Sequence, residues 1–300
     1  MTRGDRLLVG VPGGLLLLVA ALALMWRGDY GLTIFLVLPA ALGALAAYVV
    51  DAKTAWGGIK AGIGANVLGN LVFLGMGVEG LICIAMALPA CILMGAVGGY
   101  LGYSLRGASR GRTSALLLIP FGTLGWDTTA QPEVFEVRTA VEIAAEPEKI
   151  WKHVVPFSEL PNPTEWYFRG GVAYPMRARI EGTGKGAVRY CEFSTGPFVE
   201  PIETWDEPNL LQFRVTANPP PMHEWSPYHE VLPKHLHGYL VSRKGQFRLT
   251  RLPGGRTRLE GTTWYQHGLW PAQYWRLWSD GIIHRIHLRV LSHIRDLSEH

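Results

Sequence analysis

The sequence is poor in cysteine throughout and poor in charge over its first 125 residues. Of 300 residues only three are cysteines, Cys83, Cys91 and Cys191. The odd count and the lack of any CxxC or Cys/His spacing argue against a disulfide framework and a finger-type zinc site. The three thiols read as small apolar residues. Between Met1 and Gly125 the only acids are Asp5, Asp29, Asp51 and Glu79, against eight Lys and Arg residues. That stretch carries the whole net charge of +4, and the remainder is balanced. The basic excess therefore does not point to nucleic acid, and no Lys/Arg run interleaved with aromatics supports it. A P-loop, a GxSxG elbow and a dinucleotide fingerprint are also missing, so nucleotide and serine-hydrolase chemistry have no support.

Long apolar runs fill the charge-poor half. Leu7–Met25 and Tyr30–Val50 each reach the roughly 20 residues of a spanning helix. Ala61–Leu105 is long enough for two more, broken near Gly75–Gly80. No small-residue cleavage site follows the first run, so it reads as a retained helix. The expectation is an antiparallel four-helix transmembrane bundle over residues 1–126. Gly58-x-x-x-Gly62 and Gly95-x-x-x-Gly99 fit the small-residue pattern that lets helices approach in lipid. Arg3, Arg6, Lys53, Lys60, Arg106, Arg110 and Arg112 fall on one side and only Arg27 on the other. This bias puts the N terminus in the cytoplasm of a bacterial-type inner membrane. Thr113–Trp126 spans about 21 Å as a helix, short of a full crossing. Four spans, the preferred count, leave the second half cytoplasmic; a fifth span here would put it outside. Glu79 is either an intramembrane polar group with a function or part of a glycine-flanked turn at the bilayer surface.

A polar linker, 127–133, precedes a second domain at 134–300. Phe135–Ile143 alternates apolar and polar residues as a half-buried strand does. Acids and Pro147 then open a short helix. Strand-like runs follow at Met176–Glu181, Gly186–Thr195, Phe198–Trp205, Leu211–Ala217, Gly238–Leu252 and Thr257–Tyr265, punctuated by Pro, Gly and Asn. Pro271–Glu299 reads as one long helix. Its stripe of Trp275, Ile282, Ile283, Ile286, Val290, Ile294 and Leu297 suits packing on a sheet. Leu277, Leu288 and Leu291 lie nearly opposite and suggest a second partner. The class is α+β.

Three segments carry a resemblance: VRTAVEIAAEPEKIWKHV, GAVRYCEFSTGPFVEPIETWDEPNLLQFRV and GRTRLEGTTWYQHGLWPAQYWRLWSDGIIHRIHLRVLSHI. Over about residues 134–298 the chain resembles the START-like superfamily of polyketide cyclases, dehydrases and lipid carriers. The resemblance implies a helix-grip fold, with a curved antiparallel sheet around a long C-terminal helix and an apolar cavity. It implies a hydrophobic ligand such as a lipid, sterol or polyketide. It carries over no catalytic residue, because the superfamily shares a fold rather than one motif.

Candidate ligand-contacting residues come from strand faces and one loop. Alternation in GAVRYCEF turns Arg189, Cys191 and Phe193 inward, and a buried Arg189 needs an anion, for which Glu200 is available. Asn218–Tyr239 is a long Pro-rich loop, of the kind that often forms lids. It offers His223, Glu224, His229, Glu230, His235, His237 and Tyr239 as a polar cap over a cavity mouth. Its spacings match no metal motif, so no metal ligand set and no cofactor is assigned. His284 and His287 read as ordinary residues of a helix face. In the aromatic corner Gly261–Trp278, Tyr265 is expected inward and Trp275 and Trp278 against the sheet. Trp264, Trp270 and Tyr274 are the candidates for membrane contact. The expected partners are the bilayer and a hydrophobic small molecule. A membrane-bound cyclase, dehydratase or hydrolase, and a structural or sensory module with a filled core, are the rivals.

Overall fold

The computed structural model describes residues 3–105, 132–228, 231 and 233–300. The stretch Thr113–Trp126, most of the linker, and His229 and Glu230 lie outside the described residues. The chain divides into two compact units. The N-terminal helices form the first, together with two excursions from the second half, Glu224–His235 and Leu269–Pro271.

In the first unit, α1 (Arg3–Arg27), α2 (Leu38–Val49), α3 (Ala55–Gly75) and α4 (Leu81–Ser104) follow one another, with a π-helical turn, Thr33–Val37, leading into α2. Three helices, Gly4–Arg27, Ala55–Gly75 and Leu81–Ser104, are long and apolar enough to cross a membrane. The helix predicted over Tyr30–Val50 runs only from Thr33 to Val49, 17 residues, because Gly31 and the π turn delay its start. It rises about 25 Å. Leu8, Leu16, Leu68 and Leu93 point outward and are 60% or more exposed, which suits helices bathed in lipid.

The glycines bring backbones into contact. A Cβ on Gly62 would stand 2.0 Å from the Gly95 carbonyl oxygen, and one on Gly99 2.1 Å from that of Gly58. On the other side of α4, a Cβ on Gly98 would stand 1.9 Å from the Ala40 oxygen. Helix α4 is thus wedged between α2 and α3, backbone against backbone at these glycines. Asn66 adds a buried polar clamp, donating to the Pro39 and Gly62 carbonyls at 3.0 and 2.9 Å. Arg6 and Asp51, 2.7 Å apart, close one end of the bundle. Glu79 lies in the turn between α3 and α4, not within a span, yet it is 6% exposed.

The excursion Glu224–His235 seats at the opposite end. Tyr228 donates its hydroxyl to the Gly75 carbonyl at 2.6 Å, and the Leu81 N–H reaches the Trp225 carbonyl at 2.8 Å. Lys234 bonds the Trp26 carbonyl. The long loop read as a single cavity cap is therefore divided, its middle belonging with the helices.

The second unit contains β1 (Val134–Ile143), α5 (Pro147–Val154), α6 (Trp166–Arg169), β2 (Pro175–Glu181), β3 (Val188–Phe193), β4 (Gly196–Asp206), β5 (Leu210–Arg214), β6 (Leu240–Leu252), β7 (Arg256–His267) and α7 (Ala272–Glu299). All seven strands form one antiparallel sheet in the order β1-β7-β6-β5-β4-β3-β2. This is the helix-grip fold. Alternation sets the inner face: in β1, Phe135, Val137 and Thr139 are buried while their neighbours are exposed or half-buried. Helix α7 lays Val290, Leu291 and Ile294 on that face, beside Ile150 and Trp151 of α5. Leu291 is fully buried, so it belongs to the main stripe. Leu277 and Trp278, 75% and 36% exposed, lie off the sheet, because the helix turns them away from the buried line through Trp275 and Ile283.

Gly62→Leu should prevent the α3–α4 contact, whereas Gly64→Leu, where the added side chain would start in open space, should be tolerated. Size-exclusion profiles and melting in detergent should separate the two variants. Equal behaviour would refute the backbone-contact account.

Candidate functional site: an apolar cavity around a buried ion pair

Strands β3 and β4 pair so that Arg189 faces Glu200 and Cys191 faces Phe198. The alternation of VRYCEF buries Arg189, Cys191 and Phe193 and leaves Glu192 on the other face, held by Arg177 and Arg179 at 2.6 and 3.1 Å. Arg189 is 1% exposed. Its Nη1 donates to Glu200 Oε2 and its Nε to the Val155 carbonyl at 3.0 Å. The rings of Phe157, Phe213 and Phe247 lie 5.3, 5.6 and 5.4 Å from the guanidinium carbon. Cation–π attraction is strongest where water is excluded. Arg189 Nη2 has no hydrogen-bond partner among the described residues.

Around this pair lies a cavity of about 140 Å³, lined from β3 to β7, from α7 and from Asn218–Pro221. Arg189, Cys191, Glu200 and His287 are set among Phe193, Phe213, Phe247, Ile283, Val290 and Leu291. Burial raises the Glu200 pKa, and the Arg189 charge opposes the rise. Burial first, then the Glu200 charge, pushes the Cys191 thiol up to about 12. A thiol so held is no nucleophile at neutral pH. His287 Nε2 lies 2.8 Å from Thr263 Oγ1, and its Nδ1 lies 3.1 Å from Thr139 Oγ1. Burial, aided by nearby His284, lowers its pKa to about 4. It is therefore a neutral bridge between β1 and β7 rather than a surface histidine, while His284 is exposed.

The remaining sequence candidates lie elsewhere. His223 is exposed, its Nε2 3.4 Å from the Ser194 carbonyl. Glu224 sits in the helical unit, where it accepts from the N–H groups of Ile82 and Cys83 at 3.0 and 2.9 Å. His237 is exposed and Tyr239 half-buried, and neither lines the cavity. Tyr265 is inward as expected, but its hydroxyl serves Ser279 and Asp280 at 2.7 and 2.5 Å, away from the cavity lining. Trp278 is too exposed to line it. Trp264 lies half-buried beneath Lys244, Tyr274 packs edge-on against Trp275, and the Trp270 N–H reaches the Tyr30 carbonyl at 3.1 Å. Sequence reasoning missed the ring of phenylalanines. One signal was Gly245, opposite Phe213 in β6, where a Cβ would come within 2.5 Å of the ring; glycine inside a strand often marks such an approach. It also missed the meeting of Glu79 and Cys83 with His235, which lies too far from the other two in sequence for any spacing rule.

The fold and the cavity define a class, a helix-grip domain with an apolar interior. Residues 134–269 match the family described as polyketide cyclase / dehydrase and lipid transport. The second half of the chain is a START-like domain of that family, carried behind N-terminal apolar helices. Similar solved structures include XoxI from Bacillus cereus, at 12% identity over 54% of this chain and 94% of that one, TM-score 0.36. Norcoclaurine synthase from Thalictrum flavum is 12% identical over 56% of this chain and 96% of its own, TM-score 0.34. The Zhui aromatase/cyclase from Streptomyces sp. R1128 is 14% identical over 56% and 94%, TM-score 0.33. At these values nothing about ligand or chemistry passes from them to this chain. No curated protein matches it.

Arg189→Met should lower stability by about 3–5 kcal/mol, because it leaves Glu200 buried without its partner. Arg189→Met combined with Glu200→Leu should recover most of that loss, as measured by denaturant unfolding. Stability should also fall as pH drops from about 6.5 to about 4. An unfolded imidazole takes a proton near 6.5, whereas His287 resists until about 4. The unfolded state therefore binds more protons in that window. The slope should be shallower in His287→Gln.

Proposed function

We propose that the second half binds a hydrophobic molecule bearing a neutral oxygen acceptor, and that the N-terminal helices hold this site at a bilayer. The observation that carries the reading is Arg189 Nη2, a buried donor without a partner among the described residues, inside a largely apolar cavity. An unmet buried donor costs roughly 1–3 kcal/mol, which a ligand oxygen would relieve. Arg189 and Glu200 already neutralise each other, so a charged carboxylate would bring an unbalanced charge into an apolar site. A ketone, ester or phenol oxygen avoids that cost. The family description, which joins polyketides and lipids, supports molecules of this kind.

Size narrows the class. The 140 Å³ volume is close to the ~150 Å³ of an apolar cavity that takes benzene. It is below the ~300–1,000 Å³ of drug-sized pockets. One ring or a short stretch of chain fits, and a larger occupant must displace lining side chains. A short tether would raise the local concentration of the site at its lipid source to the millimolar range.

The reading extends to sidedness. Glu224–His235 seats at the bundle end that carries Arg27, the end that the charge bias makes the outer one. We therefore favour an extracytoplasmic second half over the cytoplasmic placement preferred from sequence. Glu200 and His287 also support a second reading, acid–base turnover of the bound molecule, since both line the cavity with displaced pKa values.

An aryl ketone should bind about tenfold or more tighter than the hydrocarbon of the same shape, and Arg189→Met should erase the difference. Equal affinities would remove Arg189 from recognition. Failure of both probes to bind, with no lipid co-purifying by mass spectrometry, would sink the binding reading. Alkaline phosphatase fused after His300 should be active in intact cells. An inactive phosphatase fusion, with a bright green fluorescent protein fusion at the same point, would return the second half to the cytoplasm.

A further inference from the structure

The turn between α3 and α4 holds side chains that neither the cavity nor the helix contacts use. Glu79, Cys83 and His235 bring a carboxylate oxygen, a sulfur and an imidazole nitrogen within 4.8 Å of one another. Cys83 Sγ lies 2.7 Å from His235 Nε2, and His235 Nδ1 lies 3.7 Å from Glu79 Oε2. Glu79 and His235 are 6% and 9% exposed. Glu79 Oε1 accepts a hydrogen bond from the Tyr30 hydroxyl at 2.9 Å. Its Oε2 and His235 Nδ1 have no hydrogen-bond partner among the described residues.

Two unmet polar atoms facing each other in a buried place call for an occupant. At 3.7 Å they are too far apart for a direct hydrogen bond. They are near the roughly 3.3 Å that separates two nitrogen or oxygen ligands meeting tetrahedrally on an ion with ~2.0–2.1 Å bonds. The surroundings hold these groups in place. Glu79 and Cys83 stand four residues apart across the start of α4, so they share a side. Glu224 accepts from the N–H groups of Ile82 and Cys83 at 3.0 and 2.9 Å, fixing the Cys83 backbone. Its approach needs Gly80, where a Cβ would stand 2.1 Å from the carboxylate. The Tyr30 ring meets the His235 ring edge-on at 4.7 Å, which orients the imidazole. Tyr30 therefore supports two of the three groups at once, as outer partners of metal ligands commonly do.

We propose that Glu79 Oε2, Cys83 Sγ and one nitrogen of His235 form a binding site for a divalent transition metal, with Zn²⁺ the best match. A sulfur, nitrogen and oxygen set suits zinc and its neighbours and does not suit magnesium or calcium, which take oxygen. Three protein ligands leave a fourth position for water. On binding, the Cys83 thiol loses its proton to solvent and the sulfur lone pair bonds the ion, with no change of oxidation state. The site clasps the Glu224–His235 excursion to the α3–α4 turn, independently of the cavity and its ligand.

The test uses the full chain in detergent, purified through a tag without histidine, stripped with a chelator and titrated with Co²⁺. One cobalt per chain should bind, with a thiolate-to-cobalt charge-transfer band, and Zn²⁺ should bleach it. Cys83→Ser should abolish the band, while Cys91→Ser and Cys191→Ser keep it. Glu79→Gln, nearly isosteric and able to keep the Tyr30 contact, should retain the band while affinity falls about tenfold or more. His235→Gln should weaken binding at least as much. No charge-transfer band in folded, monodisperse wild-type protein would overturn the proposal, as would a band that survives Cys83→Ser. Unchanged affinity in Glu79→Gln would overturn the three-ligand set.

Discussion

The second unit is organised around a charge kept out of water. Arg189 and Glu200 must face each other across β3 and β4, because neither can stay ionised in an apolar interior without the other. A slip of one residue would turn Arg189 outward and leave Glu200 alone among phenylalanines. The pair therefore fixes the register of two strands, and with it the side on which Cys191, Phe193 and Phe198 lie. It also gives the cavity its one ion pair among the described residues. Such a pair adds little net stability over a well-packed apolar replacement, so its value here lies in register and recognition.

The helical unit answers a different constraint. In lipid, apolar surface does not drive helices together, and close backbone approach has to do so. The contacts of Gly58 and Gly62 with Gly95 and Gly99, and of Gly98 with Ala40, meet that need. Asn66 ties two of the helices where no hydrophobic force would. Ion-paired and titratable groups of this unit lie at its ends, Arg6 with Asp51 at one and Tyr30, Glu79 and His235 at the other.

Much of this was legible from residue order. Two-residue periodicity, interrupted by Asp206-Glu207-Pro208-Asn209 and Pro253-Gly254-Gly255, marked the strands. Alternation turned Arg189 inward and its charge called for an anion; Glu200 was the candidate, and the strand register supplies the pairing. What failed had a common cause. Leu291 and Trp278 were placed from an ideal helical wheel, whereas the buried line of α7 follows the curved sheet. Glu224 and His235 were kept with the cavity because they sit between two strands in sequence. Nothing local marks a loop whose partners are helices some 150 residues earlier, as Glu224 is from Cys83. The Thr139–His287–Thr263 bridge escaped notice for the same reason, since its parts come from three separate elements.

The excursion between β5 and β6 has a practical corollary. The two compact units do not correspond to two consecutive lengths of chain, so no single cut separates them. A fragment beginning at Pro132 would still carry Trp225, Tyr228 and Lys234, whose partners Leu81, Gly75 and Trp26 would have been removed. The Trp225 carbonyl, the Tyr228 hydroxyl and the Lys234 ammonium would then lose their partners at the tip of a loop that already exposes Trp225 and Tyr228, a recipe for association between fragments. Dissecting this protein requires replacing that loop, not merely shortening the chain.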